Sequence, residues 1–162
     1  QKANNYGKME IAGSPAELAD QANLKVDIEF VETGRRMGAD MKFSDIVDIH
    51  ETIESNSEKY AGFTVVTGTD SIDELAFGLD VLNHSRLPIT ITGAMKPADV
   101  LGYDGVANFR DAVNTTIDSQ AMNLGTLVVI QGQLVKSGVA NRIFIIVPCQ
   151  SVNLWVSQIE IY

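Results

Sequence analysis

One short stretch concentrates residue types able to do chemistry. Thr67-Gly68-Thr69-Asp70-Ser71 follows a β-type run, Gly62-Phe63-Thr64-Val65-Val66, and precedes a helical pattern. Gly68 permits a tight backbone turn. Thr69 and Asp70 then stand at the mouth of a helix N-terminus, where free amides and the helix dipole favour developing negative charge. A hydroxyl beside a carboxylate in that setting can serve nucleophilic or binding chemistry. The same residues also fit a plain structural role, with Asp70 and Ser71 capping the helix and Thr69 a turn residue. Spacing alone leaves both readings open.

A second loop, Gly93-Ala94-Met95-Lys96-Pro97-Ala98-Asp99, also comes directly after a strand pattern. Gly93 lets another backbone approach closely. If the two strands are neighbours, the backbone of Gly93 and Ala94 lies beside the first loop. Lys96 and Asp99 read as solvated or paired loop charges, and Pro97 stiffens the turn. His84 near a helix end suggests a cap, and His50 on an apolar helix side a boundary histidine. Cys149 reads as a small buried hydrophobe. No phosphate-binding Gly loop of the Walker or dinucleotide type is present.

Composition narrows the partners. The chain has 162 residues and a formal charge of −9, with 45% hydrophobic and 20% charged residues. That size suits one domain with its own core, and that balance excludes wholesale disorder. The acidic excess argues against nucleic acid and anionic membrane surfaces. A single cysteine excludes an internal disulfide framework and a cysteine-based zinc site, and two histidines leave little for a histidine-rich one. No run of apolar residues is long enough to span a membrane.

The elements that must position these loops follow from periodicity. Ser14-Pro15-Ala16-Glu17 opens a helix with a capping box, and Val26, Ile28 and Phe30 alternate with acids as a half-buried strand. Phe43, Ile46, Val47 and Ile53 mark a helix after Ser44. Ser71-Ile72-Asp73-Glu74 forms a second capping box, with Ile72, Leu75, Ala76, Leu79 and Leu82 at helical spacing. Pro88 to Thr92 is a strand, Val106 to Ile117 a helix, and Leu127 to Ile130 a strand of the kind buried on both faces. Strands alternating with helices imply βαβ units. The expected fold is therefore α/β, three-layered, with a mostly parallel sheet and helices on both faces. Arg142 and Glu160 bracket a charge-free stretch from Ile143, a poor surface tail.

The two loops and their neighbours resemble the bacterial and archaeal L-asparaginase/glutaminase family. GFTVVTGTDSIDELAFGLD (62–80) resembles its second signature, written around HGTDT. LPITITGAMKPAD (87–99) looks like its GAMRP stretch, and Asp104-Gly105-Val106-Ala107-Asn108 like its DG-x-x-N turn. Gly125-Thr126-Leu127-Val128-Val129 resembles the strand that follows, and spacing agrees from about residue 6 to 133. The resemblance implies a flavodoxin-like asparaginase N-terminal domain. It implies hydrolysis of the side-chain amide of L-asparagine or L-glutamine to acid and ammonia, without cofactor or metal, in a homodimer or homotetramer. Thr69 then matches a catalytic threonine, Asp70 the carboxylate that binds the substrate's α-amino group, Ala94 a backbone contact near the amide, and Tyr6 a mobile-loop tyrosine.

Departures set further expectations. The family's TGGT loop, carrying the primary nucleophile, is expected upstream of Tyr6, and a second domain downstream; both are expected to be absent from this chain. Gly38-Ala39 replaces a substrate-binding Ser-Gln pair, Thr67 a histidine, and Arg142 falls where a catalytic lysine is expected. Arginine stays protonated at neutral pH and cannot act as the base. Residues 1–162 are thus expected to form a single α/β domain, an inactive portion of an amidohydrolase; the alternative is a non-catalytic amino-acid-binding or oligomerising module. The expected compartment is the cytoplasm, with a periplasmic or secreted form left open because any signal peptide would precede Gln1.

Overall fold

The computed structural model describes residues 15–34, 41–137 and 154–160, the last as backbone alone. The elements run α1 (Pro15–Ala22), β1 (Asp27–Gly34), α2 (Phe43–Ser55), β2 (Gly62–Val66), α3 (Ile72–Leu82), β3 (Ile89–Thr92), α4 (Gly105–Ile117), β4 (Thr126–Ile130), β5 (Gln133–Lys136) and β6 (Leu154–Glu160). Short 3₁₀ turns, Thr69–Ser71 and Ser119–Ala121, precede α3 and β4. The Ser14 cap expected for α1 lies outside the described residues, as do Tyr6, Gly38, Ala39, Arg142 and Cys149.

The six strands among the described residues form one sheet in the order β1-β6-β2-β3-β4-β5. β2 pairs parallel with β3, and β3 with β4. β6 runs antiparallel to both β1 and β2, so β1 to β4 share one direction while β5 and β6 oppose it. The expected three-layer α/β architecture with a mostly parallel sheet is thus the one observed. Part of the charge-free tail supplies the strand between β1 and β2, with Val66 opposite Trp155 and Asp27 opposite Glu160.

Side-chain alternation sorts the helices. Phe63, Val65, Ile89, Ile91, Val128 and Ile130 point to one face and pack with Ile46, Ile49 and Ile53 of α2 and Leu75, Ala76 and Leu79 of α3. On the other face, Phe109 and Val113 of α4 pack with α1, Ile28, Phe30 and Val66. The Phe30 and Phe109 rings stack at 6.4 Å between centroids. The intervening strand residues Thr64 and Thr90 hydrogen-bond to Thr116 of α4. β4 is buried along its whole length, which explains its unbroken apolar run.

This sorting has a topological consequence. The β2-α3-β3 and β3-α4-β4 connections both step to the next strand in the same direction, yet α3 and α4 lie on opposite faces. The two crossovers therefore have opposite hands, although about 98% of such connections share one. β4 then turns into β5 through Gln131 (φ 52°) and Gly132 (φ 70°), a two-residue hairpin whose left-handed backbone matches the strand twist.

At the outer edge of β1, Glu29 accepts hydrogen bonds from the Tyr60 hydroxyl and from Lys59 Nζ (3.1 Å). The Tyr60 hydroxyl, then Lys59, hold the Glu29 carboxyl below its ordinary 4.5. A depressed carboxylate stabilises the fold above its unfolded value, and that contribution is lost as pH falls through the folded value. The melting-temperature gap between wild type and Glu29→Gln is thus expected to be small at pH 7 and to close as pH falls below 4.5. Thermal melts at pH 7 and pH 3 measure it; a gap that widens in acid contradicts the assignment.

Candidate active-site crevice

Helices that leave neighbouring strands toward opposite faces open a crevice at the carboxyl ends of those strands, the usual ligand position in open α/β sheets. Here the change of hand puts that opening between β2 and β3. The loops that follow these strands are the two singled out in the sequence. The Thr67 amide donates to the Thr92 carbonyl at 2.9 Å, extending the strand pairing to the crevice floor. A Cβ built on Gly93 would lie 2.5 Å from the Thr67 carbonyl oxygen and 3.5 Å from Thr69 Cγ2. Glycine at 93 is what allows this approach. Thr69, Asp70 and Ala94 are accordingly brought together, each half-buried. Tyr6 lies outside the described residues.

The polar atoms of the first loop are unusual. Thr67 Oγ1, Asp70 Oδ2 and Ser71 Oγ are all buried, and none has a hydrogen-bond partner. An unpaired buried hydroxyl or carboxylate oxygen costs ~1–3 kcal/mol, so such groups in a folded protein require an explanation. The Ser71 capping box read from the sequence does not form. The 3₁₀ turn Thr69–Ser71 leads straight into α3 and leaves Ser71 at φ −128°, ψ 21°, outside the extended conformation that a capping serine uses. Its hydroxyl is left unpartnered instead of being spent on the helix.

In the first turn of α3 the Glu74 carboxyl is held above its ordinary value, first by its hydrogen bond with Asp73 and then by burial. Tyr103, before α4, has its phenol pushed up by burial and by the charge of Asp104. Among the described residues no cluster of three or more His, Cys, Asp or Glu is placed to hold a metal ion. No helix among them is long and apolar enough to cross a membrane. His84 is exposed past the end of α3 and remote in sequence from both loops, and His50 sits half-buried on α2 with Nδ1 unpaired.

Sequence reasoning missed two residues at this end of the sheet, Asp104 and Asn108. The Asp104 carboxylate accepts from the backbone amides of Met95 (3.1 Å) and Lys96 (3.0 Å), and Asn108 Nδ2 donates to the Gly93 carbonyl at 2.8 Å. The Asp104-to-Asn108 spacing, matched in the sequence only to the family's DG-x-x-N turn and given no role, was the available signal.

Residues 1–144 match the family model described as Asparaginase, N-terminal. The chain is 31% identical over 124 residues to L-asparaginase 2 of Escherichia coli K12, covering 76% of this chain and 34% of that one. It is 29% identical over 119 residues to L-asparaginase 2-3 of Saccharomyces cerevisiae, covering 72% and 32%. A crystal structure of a probable cytoplasmic L-asparaginase from Campylobacter jejuni superimposes with a TM-score of 0.64 at 23% identity, over 75% of this chain and 37% of that chain. The chain therefore spans about a third of the length of these relatives. Its crevice loops, its sheet and the matched residues agree: the chain belongs to the asparaginase family and corresponds to its N-terminal domain.

Proposed function

We propose that the β2–β3 crevice is part of the amino-acid amide site of an asparaginase-type amidohydrolase. The observation that carries this reading is the trio of buried, unpartnered oxygens on Thr67, Asp70 and Ser71 at the crevice. A bound amino acid supplies partners of the right kind. Its α-ammonium, with three donors and a positive charge, suits the Asp70 carboxylate. That pairing also explains a carboxylate left free at a helix start. The Thr69 hydroxyl, half-buried beside the Gly93 backbone, is placed to act on the side-chain amide or to orient the attacking water. Ala94 offers backbone contacts to the amide from the opposite wall, and Tyr6 is assigned to the cover of the site. In the full reaction water is consumed, the carbon–nitrogen bond breaks, and acid and ammonia leave.

A second reading, a module that holds the amino acid without turning it over, is favoured by one sequence observation. Arg142 stands where the family resemblance expects a lysine, and arginine gives up no proton at neutral pH. Ammonia release from L-asparagine, set against L-aspartate binding by the same chain, separates the two. As parts of the main reading we assign residues 1–162 to a single domain. We also assign a cytoplasmic setting, with which one unpaired cysteine is compatible. A homodimer or homotetramer completes it, supported by the exposed Val100 and Leu101 beside the crevice loop.

Calorimetric titration of the 162-residue chain with L-aspartate tests the site. Asp70→Ala is expected to weaken binding at least tenfold, about 1.4 kcal/mol, with the melting temperature held or raised, because an unpaired buried oxygen is removed. Equal affinity in wild type and Asp70→Ala rejects the assignment.

A further inference from the structure

Asp104 occupies the N-cap position of α4, yet its carboxylate makes no cap bond to that helix. It turns back to the loop it follows. Oδ1 accepts from the amides of Met95 (3.1 Å) and Lys96 (3.0 Å), and Oδ2 from Met95 (3.3 Å) and from Asn108 Nδ2 (3.0 Å). Asn108 is buried, 2% exposed, and uses both ends of its amide. Nδ2 also donates to the Gly93 carbonyl at 2.8 Å, and Oδ1 accepts from the Gln131 amide at 2.9 Å. A flipped amide would set donor against donor at Gln131 and acceptor against acceptor at Gly93, so the orientation is fixed by its partners.

We infer that Asp104 and Asn108 are positioning residues for the crevice: together they clip the backbone of Gly93 to Lys96 against the Thr67–Asp70 loop. The contacts form a continuous chain. Asp104 holds Met95, Lys96 and Asn108; Asn108 holds Gly93; Gly93 abuts the Thr67 carbonyl and the Thr69 methyl. Asn108 adds the Gln131 turn, so the ends of β3 and β4 are tied to one helix. An aspartate that leaves its own helix uncapped forgoes the ordinary stabilising use of that position. Its carboxylate instead spans two consecutive loop amides, which fixes where Ala94 stands relative to Thr69. The ligand class rests on the reading above; the clip itself does not.

The test uses the ¹⁵N-labelled 162-residue chain, followed by amide exchange and chemical shift without ligand and with L-aspartate. In Asp104→Ala, Met95 and Lys96 amides are expected to exchange at least tenfold faster while Val65 and Ile91 in the strands keep their rates. The Thr69 and Asp70 resonances are expected to move, and the L-aspartate dissociation constant to rise about tenfold. Asp104→Asn, whose carbonyl still accepts from both amides but whose new Nδ2 opposes the Asn108 Nδ2 donor, is expected to recover the Met95 and Lys96 protection only in part; it also carries the test alone should Asp104→Ala fail to fold. Unmoved Thr69 and Asp70 resonances in both variants overturn the inference, as does uniform acceleration that includes Val65 and Ile91. Absence of L-aspartate binding by wild type removes the functional reading, while the ligand-free resonances still decide the clip.

Discussion

Gly93→Ala is expected to lower the unfolding free energy by ~3 kcal/mol and to abolish L-aspartate binding. The new methyl carbon would stand 2.5 Å from the Thr67 carbonyl oxygen, well inside any carbon–oxygen contact found in proteins. Neither side can yield cheaply. Thr67 is held by its amide bond to Thr92, and Gly93 by the Asn108 side chain. Relief requires the ends of β2 and β3 to spread, and Thr69 and Ala94 separate with them. Gly132→Ala is the control. Its φ of 70° makes alanine strained by ~1–2 kcal/mol, but nothing lies within 4 Å of the new carbon and binding should survive. Urea unfolding and calorimetry of the two variants separate steric closure of the crevice from the conformational cost of losing a glycine. A Gly93→Ala protein within 1 kcal/mol of wild type, still binding, would show that the two loops are not in contact.

The parts of this molecule that sequence made legible are those where local chemistry and global fold agree. Alternation in 26–30 and the helical spacing of Ile72, Leu75, Ala76 and Leu79 each report one buried face, the apolar 127–130 run reports two, and each lies where expected. The two loops were legible because a strand run that ends in glycine and small polar residues marks a turn. The hand of a crossover was not legible. Leu127 and Val129 have the same pattern whichever face α4 covers, so nothing local says that β3-α4-β4 opposes β2-α3-β3. The hand is nonetheless what opens the crevice. The placement of Leu154–Glu160 between β1 and β2 was hidden for a similar reason, because an apolar strand names no partner. Ser71 and Asp104 depart from simple helix capping in opposite ways. Ser71 has the spacing of a cap and does not cap, since a 3₁₀ turn precedes it; Asp104 has the position of a cap and serves the preceding loop instead.

The largest departure from additivity is expected beneath the crevice, in a triangle of buried hydroxyls. Parallel register sets Thr64 beside Thr90, and Thr116 of α4 closes the figure, with Oγ1 separations of 2.9, 2.9 and 2.7 Å. All three residues are essentially sealed from water. Thr116 also donates to the Ala112 carbonyl at 2.9 Å, within reach of Thr90 as well. Three protons serve this whole set, so each hydroxyl depends on the others for donor and acceptor in turn. Thr90→Val keeps the volume but strips a partner from two buried oxygens, which costs ~2 kcal/mol. Thr116→Val should cost a similar amount. The triple change to valine leaves no unpaired hydroxyl between the sheet and α4, and is expected within ~1 kcal/mol of wild type. Urea unfolding of the singles, doubles and triple measures the coupling. A triple loss equal to the sum of the singles would mean that the hydroxyls act independently. Near-neutrality has a further meaning for the site. The triangle then fixes which face α4 occupies more than it stabilises the fold, because only on that face do the two strand hydroxyls find Thr116. The crevice between β2 and β3 exists only while α4 stays there.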